Sequence, residues 1–241
     1  MFDHVTIRAS DVAGSERFYR TVLPAIGIEL TQTALGPECD DFSFGQAEDP
    51  GRVTRRLHIG FAAPSREHVD AFWEAGMSAG SRDAGEPGPR RQYRYDYYGA
   101  FLLDPDGNSA EAVHHGDLRR DGVIDHLWVR VADLPAARAF YATIAPHAGL
   151  HIGHDEDQRV QFAGATGSFS LVAGEPTENL HMAFPAATNE AVDAFHTAAI
   201  EAGYSDNGTP GERLVYHPGY SAAFVLDPDG NNIEVVNHNG G

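Results

Sequence analysis

The feature that most limits how this chain can fold is a long-range internal repeat. Asp3-His4-Val5 recurs as Asp125-His126-Leu127, and Arg17-Phe18-Tyr19 as Ala139-Phe140-Tyr141, both 122 residues later. Past a variable middle the shift becomes 123. His58-Ile59-Gly60-Phe61 then matches His181-Met182-Ala183-Phe184, and Asp104-Pro105-Asp106-Gly107-Asn108 matches Asp227-Pro228-Asp229-Gly230-Asn231. The likeness runs from about residue 2 to residue 236. Solenoid repeats have periods of roughly 20–50 residues, so a period this long signifies duplicated domains. The expected boundaries are 1–116 and 122–239, with a polar, exposed linker over residues 115–122.

Each copy reads as two smaller units of strand, helix, then further strands. Alternation marks a strand over His4 to Ala9, and helical spacing of Phe18, Val22 and Leu23 marks a helix from Ala13 to Leu23 capped by Asp11. A short strand follows near Phe42 to Gly45. The pattern restarts with a strand over Leu57 to Ala62, a helix over Arg66 to Ala75 capped by Ser65, and a strand over Tyr97 to Leu103. Asp104-Pro105-Asp106-Gly107-Asn108 makes a tight turn into a closing strand, Ala110 to Val113.

Composition removes several function classes. A formal net charge of −18 argues against nucleic acid as a partner, and no apolar run is long enough to span a membrane. Residues 1–20 lack a secretion signal, so a cytosolic location is expected. All 17 basic residues are arginine, which excludes Schiff-base lysine chemistry and a lysine-ended phosphate loop. With Cys39 as the single cysteine, neither a disulfide nor a multi-cysteine metal site can form within the chain. Metal chemistry would have to use carboxylates and the 13 histidines.

Strand parity turns those histidines into a pattern. His4, Thr6 and Arg8 share one face of the first strand and Val5, Ile7 and Ala9 the other, which packs on helices. His126, Trp128 and Arg130 share the inner face in the second copy, and His58 and His181 likewise oppose Ile59 and Met182. Glu111 and Glu234 follow His58 and His181 by 53 residues each, on the closing strands. Two histidines and one carboxylate on converging strands form a facial set that leaves coordination positions open. The metal ligands are therefore His4, His58, Glu111, His126, His181 and Glu234, holding iron, zinc, nickel, manganese or cobalt, among which the ligand set does not choose. The segments Tyr93 to Tyr97 and Tyr216 to Tyr220 lead into the strand before each Glu. Tyr93, Tyr97, Trp128, Tyr216, His217 and Tyr220 are accordingly placed at the pocket rim for substrate.

These residues resemble the vicinal oxygen chelate superfamily, which includes glyoxalase I, extradiol dioxygenases, methylmalonyl-CoA epimerase and the fosfomycin and bleomycin resistance proteins. The likeness is carried by Asp3-His4, Phe18-Tyr19, His58 opening HIGFAA and Glu111 ending FLLDPDGNSAE. The second copy repeats them as Asp125-His126, Phe140-Tyr141, HMAFPA and FVLDPDGNNIE. It implies an α+β fold of four βαβββ modules in two tandem glyoxalase-like domains, with cupped mixed sheets enclosing the metal. Glyoxalase I resembles this pattern but adds a second carboxylate; Asp41 could supply one, while Ser168 stands in its place in the second copy.

The function implied is a divalent-metal-dependent enzyme acting on a small oxygen-chelating substrate, as isomerase, lyase or oxygenase. Glu111, Glu234 or a pocket tyrosine would be the base. The alternative is a binding protein that sequesters a drug or metabolite without turnover. Expected partners are a small molecule only, with the chain a monomer, as an internal pseudo-dimer, or a homodimer. The triads can close within a copy or across copies, His4 with His181 and Glu234, and His126 with His58 and Glu111. The cross-copy form is favoured because duplication then turns a two-chain dimer into one chain.

Overall fold

The computed structural model describes residues 1–34 and 36–240. Four strand-helix-three-strand modules follow one another. The first is β1 (His4–Ala9), α1 (Val12–Val22), β2 (Thr31–Thr33), β3 (Gly36–Cys39) and β4 (Phe42–Gln46); the second is β5 (His58–Ala62), α2 (Arg66–Ser78), β6 (Arg82–Pro89), β7 (Tyr98–Leu103) and β8 (Ser109–His114). The third is β9 (Ile124–Val131), α3 (Leu134–Ile144), β10 (His151–Glu156), β11 (Arg159–Ala163) and β12 (Ser168–Ala173). The fourth is β13 (His181–Pro185), α4 (Asn189–Glu201), β14 (Ser205–Glu212), β15 (Ser221–Leu226) and β16 (Asn232–Asn237).

Two compact units partition this chain in an interleaved way. Unit I is Met1–Val5 with Val129–Gly241, and unit II is Thr6–Trp128. The division falls inside β1 and β9, so His4 belongs with the second copy and His126 with the first. In unit II one row of strands runs β9-β5-β8-β7-β6 and another β1-β4-β3-β2. In unit I the corresponding rows are β1-β13-β16-β15-β14 and β9-β12-β11-β10.

The βαβββ order is as the resemblance implies, but the cupped sheets are not found. Every row is open, ending on β2, β6, β10 or β14, and among the described residues none of these pairs onward to close a cup. The edge sequences explain this. β6 is RDAGEPGP and β14 SDNGTPGE, and proline lacks the N–H that a further ladder would need. Both pair with register breaks, between Asp83 and Gly85 and between Asp206 and Gly208. The polar, glycine-rich character that blunts these edges also hid β6 from the periodicity reading.

Helix starts follow local chemistry. Asp11 and Asp133 accept hydrogen bonds from Ala13 and Ala136 at the starts of α1 and α3, and Thr188 caps α4 through Ala191. Such caps contribute about 0.5–2 kcal/mol each. Ser65 occupies the cap position of α2 without capping it; its hydroxyl binds Glu67 and His68 instead. In each unit the apolar helix face covers an aromatic core: Tyr19 with Phe42, Phe44 and Phe61 in unit II, and Tyr141 with Phe162 and Phe169 in unit I.

The Asp-Pro-Asp-Gly-Asn turns fasten core to site. Asp104 accepts from the backbone of Asp106 and Asn108 at 2.9 and 2.8 Å and from the buried Tyr19 hydroxyl at 3.2 Å. Asn108 in turn accepts from Leu57 N–H at 3.1 Å, which fixes the start of β5 against β8. Asp227, Tyr141, Asn231 and Leu180 repeat the device in unit I. Gly107 at φ 88° and Gly230 at φ 86° supply the left-handed turn residue.

Candidate metal centres

Strand register delivers the ligands. In unit II, β5 lies between β8, parallel, and β9, antiparallel; Gly60 pairs with Glu111 on one side and His126 on the other. Two residues along the same face, His58 is flanked by Ser109 and Trp128. Side chains of like parity on three adjacent strands converge, and the cluster is His58, Glu111 and His126. In unit I, β13 and β16 pair Ala183 with Glu234, and Asp3 N–H donates to Ala183 O at 2.9 Å, which brings His4 beside His181 and Glu234. Both groupings are cross-copy.

The spacing of donor atoms suits one ion at each centre. In site I, within unit I, His4 Nε2 is 3.0 Å from His181 Nε2 and 3.5 Å from Glu234 Oε2, with His181 Nε2 2.9 Å from that oxygen. In site II, within unit II, Glu111 Oε2 is 3.0 Å from His58 Nε2 and 3.4 Å from His126 Nε2. Ligands about 2.1 Å from one ion at right angles lie about 3.0 Å apart, so both donor sets match a facial arrangement. The glutamates are 1% exposed, a burial that a carboxylate tolerates only when compensated.

Electrostatics without metal shows that compensation. Burial pushes Glu111 and Glu234 upward, but their hydrogen bonds and charge interactions with two histidines each outweigh it and hold both carboxyls at about 2. Burial lowers His4 and His126, while bonds to a neighbouring aspartate and to the glutamate raise them to about 9 and about 10. Each cluster is thus a tightly bound set of proton and charge that a divalent cation can replace.

Each glutamate's other oxygen is held by a tyrosine. Tyr97 OH donates to Glu111 Oε1 at 2.8 Å and Tyr220 OH to Glu234 Oε1 at 2.7 Å. Burial and the adjacent carboxylate push both phenols far up, which makes them donors and not bases. Behind the first-strand histidines stand aspartates: Asp3 accepts from His4 Nδ1 at 2.8 Å and Asp125 from His126 Nδ1 at 2.9 Å. This fixes the tautomer that would leave Nε2 free to bind a metal ion.

The other rim residues divide. Trp128 meets His58 edge-on with ring centres 6.5 Å apart, and Tyr93 packs on Trp128 at 5.8 Å and on Tyr97 at 5.3 Å, so site II has an aromatic wall. Tyr216 packs on Tyr220 at 4.6 Å beside site I. His217 turns to His238, with Nε2 and Nδ1 2.9 Å apart. Asp41 is no fourth ligand: it is buried in an ion pair with Arg119 and accepts from Val123 and Ile124 N–H at 2.9 and 3.2 Å. Within residues 115–122, read as an exposed linker, Gly116, Asp117, Arg120 and Asp121 are exposed, while Arg119 is only 6% exposed.

His115, read from sequence as linker-proximal and solvated, bonds Asp125 at 3.2 Å. His238 was not singled out by sequence at all, yet it bonds Asp3 at 2.9 Å. The signal was available, since each lies four residues past its glutamate and the two are related by the repeat shift.

Comparison with known proteins agrees with this architecture. The sequence matches the family model described as Glyoxalase/Bleomycin resistance protein/Dioxygenase superfamily over residues 1–112 and again over 123–235. No curated protein shows a significant sequence match. Among solved structures the fold is similar to glyoxalase I from Zea mays, at TM-score 0.73 and 18% identity over 98% of this chain and 92% of that one. It is also similar to a putative dioxygenase from Bacillus subtilis, at TM-score 0.66 and 14% identity over 98% and 84%.

Proposed function

Because the chain belongs to the Glyoxalase/Bleomycin resistance protein/Dioxygenase superfamily, we propose that it is a metal-dependent enzyme with two centres, His4–His181–Glu234 and His58–Glu111–His126, acting on a small substrate that chelates through adjacent oxygens. The observation that carries the reading is the twofold convergence of imidazole Nε2 and carboxylate Oε2 atoms at 2.9–3.5 Å. A divalent ion bound there supplies Lewis acidity and open positions for substrate oxygens.

The chain's own residues do the rest. Asp3 and Asp125 hold the first-strand imidazoles with Nε2 facing inward. Tyr97 and Tyr220 orient the glutamates, so that Oε2 and not Oε1 is presented. Glutamates held at about 2 are weak proton acceptors, which supports ligation as their first role, before any role as base. Tyr93 and Trp128 form the wall of site II and favour a flat ligand there. Isomerase, lyase and oxygenase chemistry all use such a centre. Each triad is complete within one chain, which supports a monomer; a cytosolic setting fits a chain whose described helices are none of them long and apolar enough to cross a membrane.

The test is reconstitution of metal-free protein with iron, zinc, nickel, manganese and cobalt in turn, followed by metal analysis. Up to two equivalents per chain are expected with at least one of the ions. Content near zero with all five would overturn the proposal.

A further inference from the structure

We infer that unit II carries a second binding site, sharing no residue with its metal centre, which takes a small phosphate monoester with an apolar body. The site is a cavity of about 620 Å³ between α1, the end of α2 and the Asp104-Pro105 turn. Pockets for small ligands run from about 300 to 1,000 Å³, so one such molecule fits. The inference goes beyond the metal reading and does not depend on it.

Three arginines, Arg17, Arg20 and Arg82, line this cavity, in a chain with only 17 basic residues against 35 acidic ones. Two of them keep their charge available. Arg17 reaches its carboxylate partner, Asp11, only at 3.8 Å, with both side chains largely exposed. Arg82 donates to the Asp104 main-chain oxygen at 3.2 Å and pairs with no carboxylate among the described residues. Arg20 is held in place, donating to Glu16 at 2.7 Å and to Leu30 O at 2.9 Å. The Asp104 carboxylate is turned inward to the Tyr19 hydroxyl and the Asn108 amide, so it does not neutralise the arginines. A phosphate dianion offers three terminal oxygens to several guanidinium groups at once, whereas one carboxylate matches a single fork. Phe18 and Leu103 form the apolar part of the wall, which suits a ring or short hydrocarbon beside the phosphate.

Unit I shows the same place without a site. Ala139, Ala142 and Ser205 stand at the positions of the three arginines, and Tyr204 at that of Ser81, which lines the cavity in unit II. The Tyr204 ring packs edge-on against Phe140, the counterpart of Phe18, with centres 4.8 Å apart. An aromatic ring thus occupies what in unit II is open space beside Phe18. Charge and space are present together in one unit and missing together in the other, as a ligand held there requires. A helix C-terminus bears partial negative charge, which would be a purely structural reason for arginines beside the end of α2. α4 ends in the same way, likewise with no basic residue in its last turn, and does without them.

The experiment uses the full chain stripped of metal by chelator and then freed of it, so that phosphate has no ion to bind. Calorimetric titration with phenyl phosphate at fixed salt should show one saturable site. Inorganic phosphate should bind about tenfold more weakly or worse, because it leaves Phe18 and Leu103 uncovered. Arg17→Gln and Arg82→Gln should each weaken phenyl phosphate by about tenfold, the scale of one hydrogen bond to a charged group. Ser81→Tyr, which keeps all three arginines and copies the filled state of unit I, should abolish binding. Arg120→Gln, at an exposed arginine outside the cavity, should leave affinity within twofold. Arg17 and Arg82 are exposed, so their variants decide the matter even if Ser81→Tyr does not fold. Absence of saturable binding, binding unchanged in both arginine variants or in folded Ser81→Tyr, or inorganic phosphate bound as tightly as phenyl phosphate would each overturn the inference.

Discussion

Site I and site II present the same three donors from the same strand positions, each backed by an aspartate, a tyrosine and an outer histidine, yet their floors and walls differ. In site II the floor is glycine: a Cβ on Gly60 would clash with the His126 ring, and one on Gly99 would clash with Glu111 Oε1. Site I carries Ala183 and Ala222 at those places, both fully buried in one cluster with Tyr220 and Phe224. Site II is walled by Trp128 and Tyr93, and Arg94 beside it pairs with Asp96 and Asp117. Site I has Tyr216, and His217 stacked on His238 in place of the arginine. The ligand set follows from strand register, which the backbone fixes in both copies, whereas the floor, wall and outer partners are side-chain choices that each copy makes alone. The chemistry is shared and its tuning is not.

Removing a donor has the largest expected effect. Glu111→Ala should empty site II and Glu234→Ala site I, each lowering metal content by one equivalent and affinity at its own site by more than about a hundredfold. Each glutamate is buried and offers the single carboxylate of its set. Loss of both equivalents from either single variant would show that the centres are not independent.

The glycine floor gives the next largest effect. Gly60→Ala or Gly99→Ala should cost site II roughly 10–100-fold in metal affinity by displacing a ligand, on the scale seen when ligand orientation is disturbed. Ala183→Gly or Ala222→Gly should change site I by only a few-fold. Titration of each variant with its opposite site silenced checks this. Equal tolerance at both sites would remove the steric half of the comparison.

A smaller effect sharpens the likeness. Tyr97→Phe and Tyr220→Phe each delete one hydrogen bond to a charged carboxylate, worth about 1.5–3 kcal/mol. Both should loosen metal by about tenfold, and nearly equally, because the two bonds are 2.8 and 2.7 Å long. A loss at one site alone would show that the tyrosine is structural at the other.

Sequence made some of this legible and hid the rest for identifiable reasons. The repeat and strand parity suffice for the six converging side chains, because parity is a backbone property; the cross-copy grouping was favoured only by the logic of duplication, since parity fixes a face and not a neighbouring strand. The open rows were missed because sheet closure depends on what the edge strands do, and β6 and β14 carry too much glycine and proline to read as strands. Asp41 was legible as an acid near the first module's end. Its partner Arg119 comes 78 residues later from a segment that reads as linker, so nothing local predicts the pairing. His115 and His238 were hidden by their position after the closing strand, where a histidine looks solvated until the first-strand aspartate is placed beside it.

The smallest expected difference lies in the alkaline stability of the metal-free chain. A histidine whose folded-state pKa is raised stabilises the fold fully below its unfolded value of 6.5, and that contribution is lost as pH rises through the folded value. The folded values are about 9 for His4 and about 10 for His126. The glutamates work oppositely: held at about 2, they stabilise above 4.5 and lose that contribution as pH falls through 2. With chelator present, the melting temperature should fall between pH 6.5 and 10. Glu234→Ala, which leaves site II as the intact proton-holding cluster, should keep falling to about 10. Glu111→Ala, which leaves site I, should level off near 9. The two profiles should separate by no more than a few degrees, since about 1 kcal/mol moves the melting temperature of a chain this size by roughly 2–4 °C. Profiles that superimpose would mean that His4 and His126 hold their protons equally, and the two centres would then differ in floor and wall and not in the electrostatics of their ligands.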